Sequence, residues 1–384
     1  MFTKKNIKIV FLAGFLFSIP IALTSYINSS FLKGYINESY IGILYIISSI
    51  ITIWGFFEMP AILNKLGNRL VSLLMSILIF VSLILMAFGN NSLLITSGFI
   101  LYFVSSNLII ASLDIFVEDF SKKTSIGKFR GFYLMIINSS WVLAQMISGS
   151  IINKSSFKGI YLLSSSFMIL VSLIFLTRLH DFKDPKYTKV SVKKTLRFFI
   201  QNKNIFRIYF INFILKFFYV WMIIYIPIYL NEFLHFDWKQ IGLIFTIMLL
   251  PFVILDVPLG KLSDKIGEKK MLAWGFLIGV VSTFAIPMIR EPKLWIWALI
   301  LFGTRVGAAI IELMSESYFF KDINEENADA ISFFRNTYPL AYIIAPLLAT
   351  PILFLVPSFA YLFYILAGIL FIGFFVTLRL KDIK

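Results

Sequence analysis

The stretch Gly260-Lys-Leu-Ser-Asp264-Lys265-Ile-Gly267-Glu-Lys269-Lys270 lies between two predominantly apolar runs, 239–259 and 270–289, each about as long as a bilayer-crossing helix. Its glycines and charges read as a tight reversal outside the membrane, with Asp264 offering an anion to a nearby helix N-terminus or guanidinium. A related stretch, Pro60-Ala-Ile-Leu-Asn64-Lys65-Leu-Gly67-Asn-Arg69, stands about 200 residues earlier between the runs 40–61 and 70–89. Flanking residues repeat with it: Ile41-Gly42 as Ile241-Gly242, and Glu58-Met-Pro60 as Asp256-Val-Pro258. At an offset of 198, Asn107, Asp114, Glu118 and Asn138 answer to Arg305, Glu312, Glu316 and Asn336. The chain therefore reads as two related halves. An even number of helices per repeat makes them parallel in topology.

Working outward, the same alternation of apolar run and charged turn covers all 384 residues. The chain is 59% hydrophobic and 14% charged, where soluble domains carry about 25% charge. This excludes an ordinary soluble enzyme and predicts an all-α membrane protein of twelve spans: 8–31, 40–61, 70–89, 92–118, 129–153, 158–178, 204–231, 239–259, 270–289, 294–318, 328–350 and 354–378. Residues 1–178 and 204–384 form the six-helix halves, and 179–203 is the linker between them. Within the linker, Val192, Leu196, Phe199 and Ile200 can share one face of a short helix on the anionic leaflet, opposite Lys193, Lys194 and Arg197; the alternative is a solvated basic linker. Cys is absent, and the two His, His180 and His235, fall between spans, so thiolate chemistry is excluded and no cofactor or metal is expected.

The formal charge of +15 does not form one basic patch, and nucleic acid is not an expected partner. With both termini cytoplasmic, 26 Lys and Arg fall in cytoplasmic segments and six outside, the bias of the positive-inside rule. The first span is too long for the apolar core of a signal peptide, so an uncleaved helix in the inner or plasma membrane is expected.

The stretch that begins at Gly260 resembles the G-x-L-x-D-[RK]-x-G-[RK]-[RK] loop signature of the major facilitator superfamily, and the twelve spans, basic linker and half-chain repeat match that family throughout. The resemblance implies a cytoplasmic gate made by Gly260, Asp264, Lys265 and Gly267, facing the other half, where Arg130 at the start of the fifth span is the expected partner of Asp264. In this chain the acid of the first copy is replaced by Asn64. Arg305-Val-Gly307-Ala-Ala309 resembles a shortened form of the family's fourth-helix motif moved to the tenth span. The antiporter signature of the fifth helix is reduced to Ser148-Gly149-Ser150.

Charges within spans cost about 2.5–3.5 kcal/mol each on insertion scales, and therefore mark function or a partner. Arg305, Glu312 and Glu316 share one face of the tenth span, and Asn107, Asp114 and Glu118 repeat it on the fourth. Arg335 reaches about the depth of Glu312, so a structural ion pair Glu312–Arg335 is the preferred reading. The residue that mirrors Arg335 is Ile137, which makes Asp114 the first candidate for proton exchange and Glu312 the second. Lys216 and Tyr219 lie on one face of the seventh span. The resemblance implies that the first, fourth, seventh and tenth spans line a cavity, so Asn107, Lys216, Tyr219 and Arg305 become candidate substrate contacts. Two cations suit an anionic substrate, although a Lys216–Glu312 pair would neutralise the same site.

The expected function is secondary active transport of a small solute by alternating access, with two halves rocking, coupled to protons and carried out by a monomer. Efflux of amphipathic compounds is favoured over uptake of a small organic anion. A non-transporting membrane sensor would call for an appended signalling domain, and an embedded enzyme for a clustered catalytic set. The sequence offers neither.

Overall fold

The computed structural model describes residues 4–121, 126–187, 192–322 and 333–381. Helices α1 (Lys4–Ser25), α2 (Asn28–Lys33), α3 (Glu38–Leu66), α4 (Asn68–Phe88), α5 (Ser92–Ser121) and α6 (Ile126–Thr177) make up the first half. The second contains α7 (Val192–Gln201), α8 (Lys203–Ile228), α9 (Trp238–Leu249), α10 (Pro251–Ile254), α11 (Asp256–Ile266), α12 (Glu268–Ala285), α13 (Leu294–Asp322), α14 (Thr337–Leu355) and α15 (Tyr361–Leu378). Ten described helices are long and apolar enough to cross a membrane. One of them, α6, holds two spans joined at Ser156, where φ is 56° and ψ −170°. The shorter apolar run Trp238–Ile254 adds the eighth crossing, so the twelve-span reading is met.

Several spans break where a single helix was expected. The first divides at Tyr26 and Ile27 into α1 and α2. The eighth divides into α9, α10 and α11, with breaks at Leu250 and Leu255, because neither Pro251 nor Pro258 has an N–H to give the carbonyl one turn back. The stretch that identified the fold is helical through Ile266, and only Gly267 reverses the chain. Gly67 and Gly267 adopt the same backbone, φ 78° and ψ 153° against φ 84° and ψ 150°, a region open essentially to glycine alone. The two repeat copies thus share a hinge as well as a sequence.

Backbone-directed hydroxyls recur along the spans. Ser18 donates to Gly14 O, Ser48 to Leu44 O, Ser72 to Asn68 O and Thr377 to Gly373 O, each one turn back, so these polar groups are satisfied without water.

The chain forms two compact units, Met1–Lys189 with Asp237–Gly242, and Val190–Phe236 with Leu243–Lys384. In the first, α6 packs on α1 and α4, and α5 packs on α3 and α4. In the second, α8 packs against α13, α14 and α15 and is apolar on nearly every side, as a central helix must be. The linker helix α7 forms there, with Phe199 buried against Tyr209, Phe319 and Phe333 while Arg197 and Ile200 face outward.

Helices α12 and α13 cross closely through small residues, Gly307 against Gly275 and Gly279, and Gly303 against Ser282. A Cβ at Gly307 would stand 2.6 Å from both Gly275 O and Gly279 N, neither of which can rotate away. Gly307→Ala is expected to cost about 1–3 kcal/mol. Gly368→Ala in α15, where a Cβ meets nothing within 4 Å, should cost nothing. Thermal unfolding of the two purified variants checks the contrast.

Candidate functional site

The site is assembled in the second unit by α8 and α13. Sequence spacing alone puts Lys216 and Tyr219 one turn apart on α8, and packing brings that face to Glu312 of α13. Lys216 Nζ lies 2.6 Å from Glu312 Oε1, and Tyr219 OH donates to Glu312 Oε2 at 3.0 Å. The two charged side chains keep 17% and 32% of their surface, so the pair is partly accessible. One carboxylate therefore spends both oxygens on a single neighbouring helix.

Seven residues before Glu312 on α13, Arg305 is 1% exposed. Its guanidinium carbon stands 5.0 Å from the centroid of the Phe218 ring and 5.5 Å from that of Tyr219, within cation–π range of both. Tyr219 also meets Phe252 edge-on at 6.1 Å. Glu316 and Tyr338 are near enough to act on Lys216 electrostatically. Two cations and two acids thus occupy one neighbourhood, against aromatic faces. Below them, buried Asn212 accepts a hydrogen bond from Thr337 Oγ1 at 3.4 Å, which ties α8 to α14.

This geometry bears on the partner of Glu312. Glu312 pairs with Lys216, the alternative that the sequence left open beside Arg335. The helical stretch 333–335 ends in a turn at Asn336 before α14 begins, and Arg335 is left exposed ahead of it.

In the first unit Asp114 on α5 is half-buried and lies close enough to Tyr133 of α6 to act on it electrostatically. Tyr133 is itself buried against α1, where its hydroxyl would be 2.7 Å from a Cβ at Gly14, and its ring meets Phe11 at 5.4 Å. Asn107 turns its amide back to Phe103 O at 2.8 Å within its own helix, so that donor is spent locally. At the repeat offset Lys216 answers to Ser18, whose hydroxyl goes to Gly14 O. The two halves therefore build different polar sites on the same face.

Of the gate residues, Lys265 is exposed and Gly267 makes the reversal. Gly260 sits inside α11, with open space where a Cβ would be. The side chains of Asp264 and Arg130, like that of Glu118, lie outside the described residues. Phe218, Phe252 and Tyr133 escaped the sequence reading. With 17% aromatic residues in the chain, no local signal separates them from packing residues.

The Major Facilitator Superfamily matches over residues 9–319 and 226–383. The chain belongs to that superfamily, and it is a multi-pass membrane transporter rather than an enzyme. The crystal structure of the nucleoside transporter NupG has the same fold, with a TM-score of 0.76 over 98% of this chain and 99% of that one at 12% sequence identity. No curated protein matches the sequence.

A double-mutant cycle tests the pairing. Removing one member of a fully buried ion pair costs roughly 3–5 kcal/mol, and partial exposure lowers that here. Lys216→Met and Glu312→Gln should each destabilise the protein, with the double variant recovering at least about 1 kcal/mol of the summed loss. Arg335→Gln should not rescue Glu312→Gln. Additive losses at Lys216 and Glu312, read from thermal unfolding, would remove the pair.

Proposed function

We propose that this chain is a secondary active transporter that moves a small solute by alternating access and couples it to protons through Glu312, with Asp114 as the second acid. The observation that carries the reading is the double engagement of Glu312 by Lys216 and Tyr219. A proton added to that carboxylate cancels its charge, removes its attraction for Lys216 and weakens the bond from Tyr219, so protonation and the local arrangement are linked. The partial exposure of the pair supports access for a proton.

Charge balance bears on the solute. Lys216 is already neutralised by Glu312, and Arg305 is buried against Phe218 and Tyr219, so neither cation is an open anion receptor. Aromatic faces beside a compensated pair suit an amphipathic or uncharged ring-containing solute instead. This supports efflux of amphipathic compounds over uptake of a small organic anion. The fold shared with a nucleoside transporter adds nucleosides to the solutes to be tried. We place both termini in the cytoplasm on the distribution of Lys and Arg, and read the working unit as a monomer.

Proteoliposomes containing the full-length protein test this with a cationic amphipathic dye, uridine and succinate, with and without an imposed pH gradient. The expected result is gradient-driven accumulation of the dye or the nucleoside. Glu312→Gln, compared at equal folded protein, should lose accumulation at least tenfold while solute exchange survives. Accumulation of succinate alone, or accumulation by Glu312→Gln at the wild-type rate, contradicts the reading.

A further inference from the structure

The linker's first residues form an ordered path over one end of the first unit. Leu179 is buried, and it turns the chain with a φ of 60°. Arg69 Nη1 donates to His180 Nδ1 at 2.6 Å and reaches Leu176 O at 3.3 Å. Phe182 is buried edge-on against Phe116, with ring centroids 4.6 Å apart. Asp184 Oδ1 accepts from the backbone N–H of Asn68, at the start of α4, at 2.7 Å, and from Tyr187 OH at 2.6 Å. Tyr187 then pairs its whole backbone with one side chain: Asn64 Nδ2 donates to Tyr187 O at 2.7 Å, and Tyr187 N–H donates to Asn64 Oδ1 at 3.1 Å. Its ring packs against the cluster of Met59, Leu63 and Val71.

These contacts converge on a place where the first repeat copy lacks an acid that the second carries. The second copy carries its own acid, Asp264, where the first carries Asn64. The N-terminus of α4 is an anion site, with a free N–H and the positive end of the helix dipole. Asp184 fills it from 116 residues away in sequence. Its Oδ2 would be 2.8 Å from a Cβ at Gly67, so the hinge glycine also makes room for the carboxylate. Asn64 in turn cannot be an acid here, because a carboxylate has no N–H to give Tyr187 O.

We propose that Asp184–Tyr187 is a docked strap that supplies the first half's loop with the carboxylate that its own sequence lacks, and that Asp184, Asn64 and Tyr187 are positioning residues for that loop. The strap fixes the hinge at Gly67 and the start of α4 from outside the spans. Asp184 and Asn64 are exposed, so the strap detaches without unfolding the helices beneath it.

Trypsin reads docking directly in the full-length protein, because Lys183 and Lys186 flank Asp184 and a protease needs their backbone free and extended. Nicking at Lys186 should rise about tenfold in Asp184→Asn and in Asn64→Asp, and less in Tyr187→Phe, which keeps both backbone bonds. Nicking at Lys269 and Lys270 in the second unit should stay at the wild-type rate, which separates release of the strap from general unfolding. The decisive variant is Asn64→Asp with Asp184→Asn, which returns the acid to the loop. It should be nicked as fast as either single variant. Wild-type protection in that double variant would show that only a nearby charge is needed, and unchanged nicking in both single variants would show that the strap is not held by these bonds. Either result overturns the proposal.

Discussion

An ammonium and a carboxylate within membrane-spanning helices each carry an insertion cost of a few kcal/mol, and the Lys216–Glu312 pair meets that cost by mutual neutralisation at 2.6 Å. Much of the second unit follows from this constraint. α8 must present Lys216 and Tyr219 on one face, and α13 must present Glu312 opposite them. Arg305, a turn or two deeper on the same helix, is then covered by Phe218 and Tyr219 from the same stretch of α8. The close crossing of α12 and α13 through glycines anchors α13 on its other side. Packing and electrostatics therefore fix the same helix from two directions.

The first unit solves its polar problem differently. Ser18 stands where the repeat would place a cation, and it satisfies itself on its own helix. Asp114 is set beside Tyr133 instead. At the loop before α4, a carboxylate comes from the linker, whereas the corresponding loop of the second unit begins α12 with Glu268, held by Lys321 and Ser317 of α13. Divergence of the halves has thus moved charges between elements without moving the helices. The shared φ and ψ of Gly67 and Gly267 show how much of the backbone survived that divergence.

The fold was legible because its determinants are one-dimensional. Bilayer thickness sets the length of each apolar run, and turns must be polar, so run length and spacing alone give twelve spans. Breaks inside spans were harder to read: Tyr26 and Asn336 carry no strong breaking signal. Sites depend on which faces of packed helices meet, and helical spacing does not determine that. It placed Lys216 and Tyr219 on one face and Glu312 on another, leaving both Lys216 and Arg335 open as partners. Asp184 was invisible for a further reason, since nothing near residue 184 announces a partner at residue 68.

The state of Glu312 is the central claim, and infrared difference spectroscopy between wild type and Glu312→Gln measures it directly. At neutral pH without solute, the signal lost in the variant should be that of an ionised carboxylate. It should convert to a protonated carboxyl C=O stretch on acidification in the presence of a transported solute. A protonated carboxyl at neutral pH, or a carboxylate that never converts, would contradict the account.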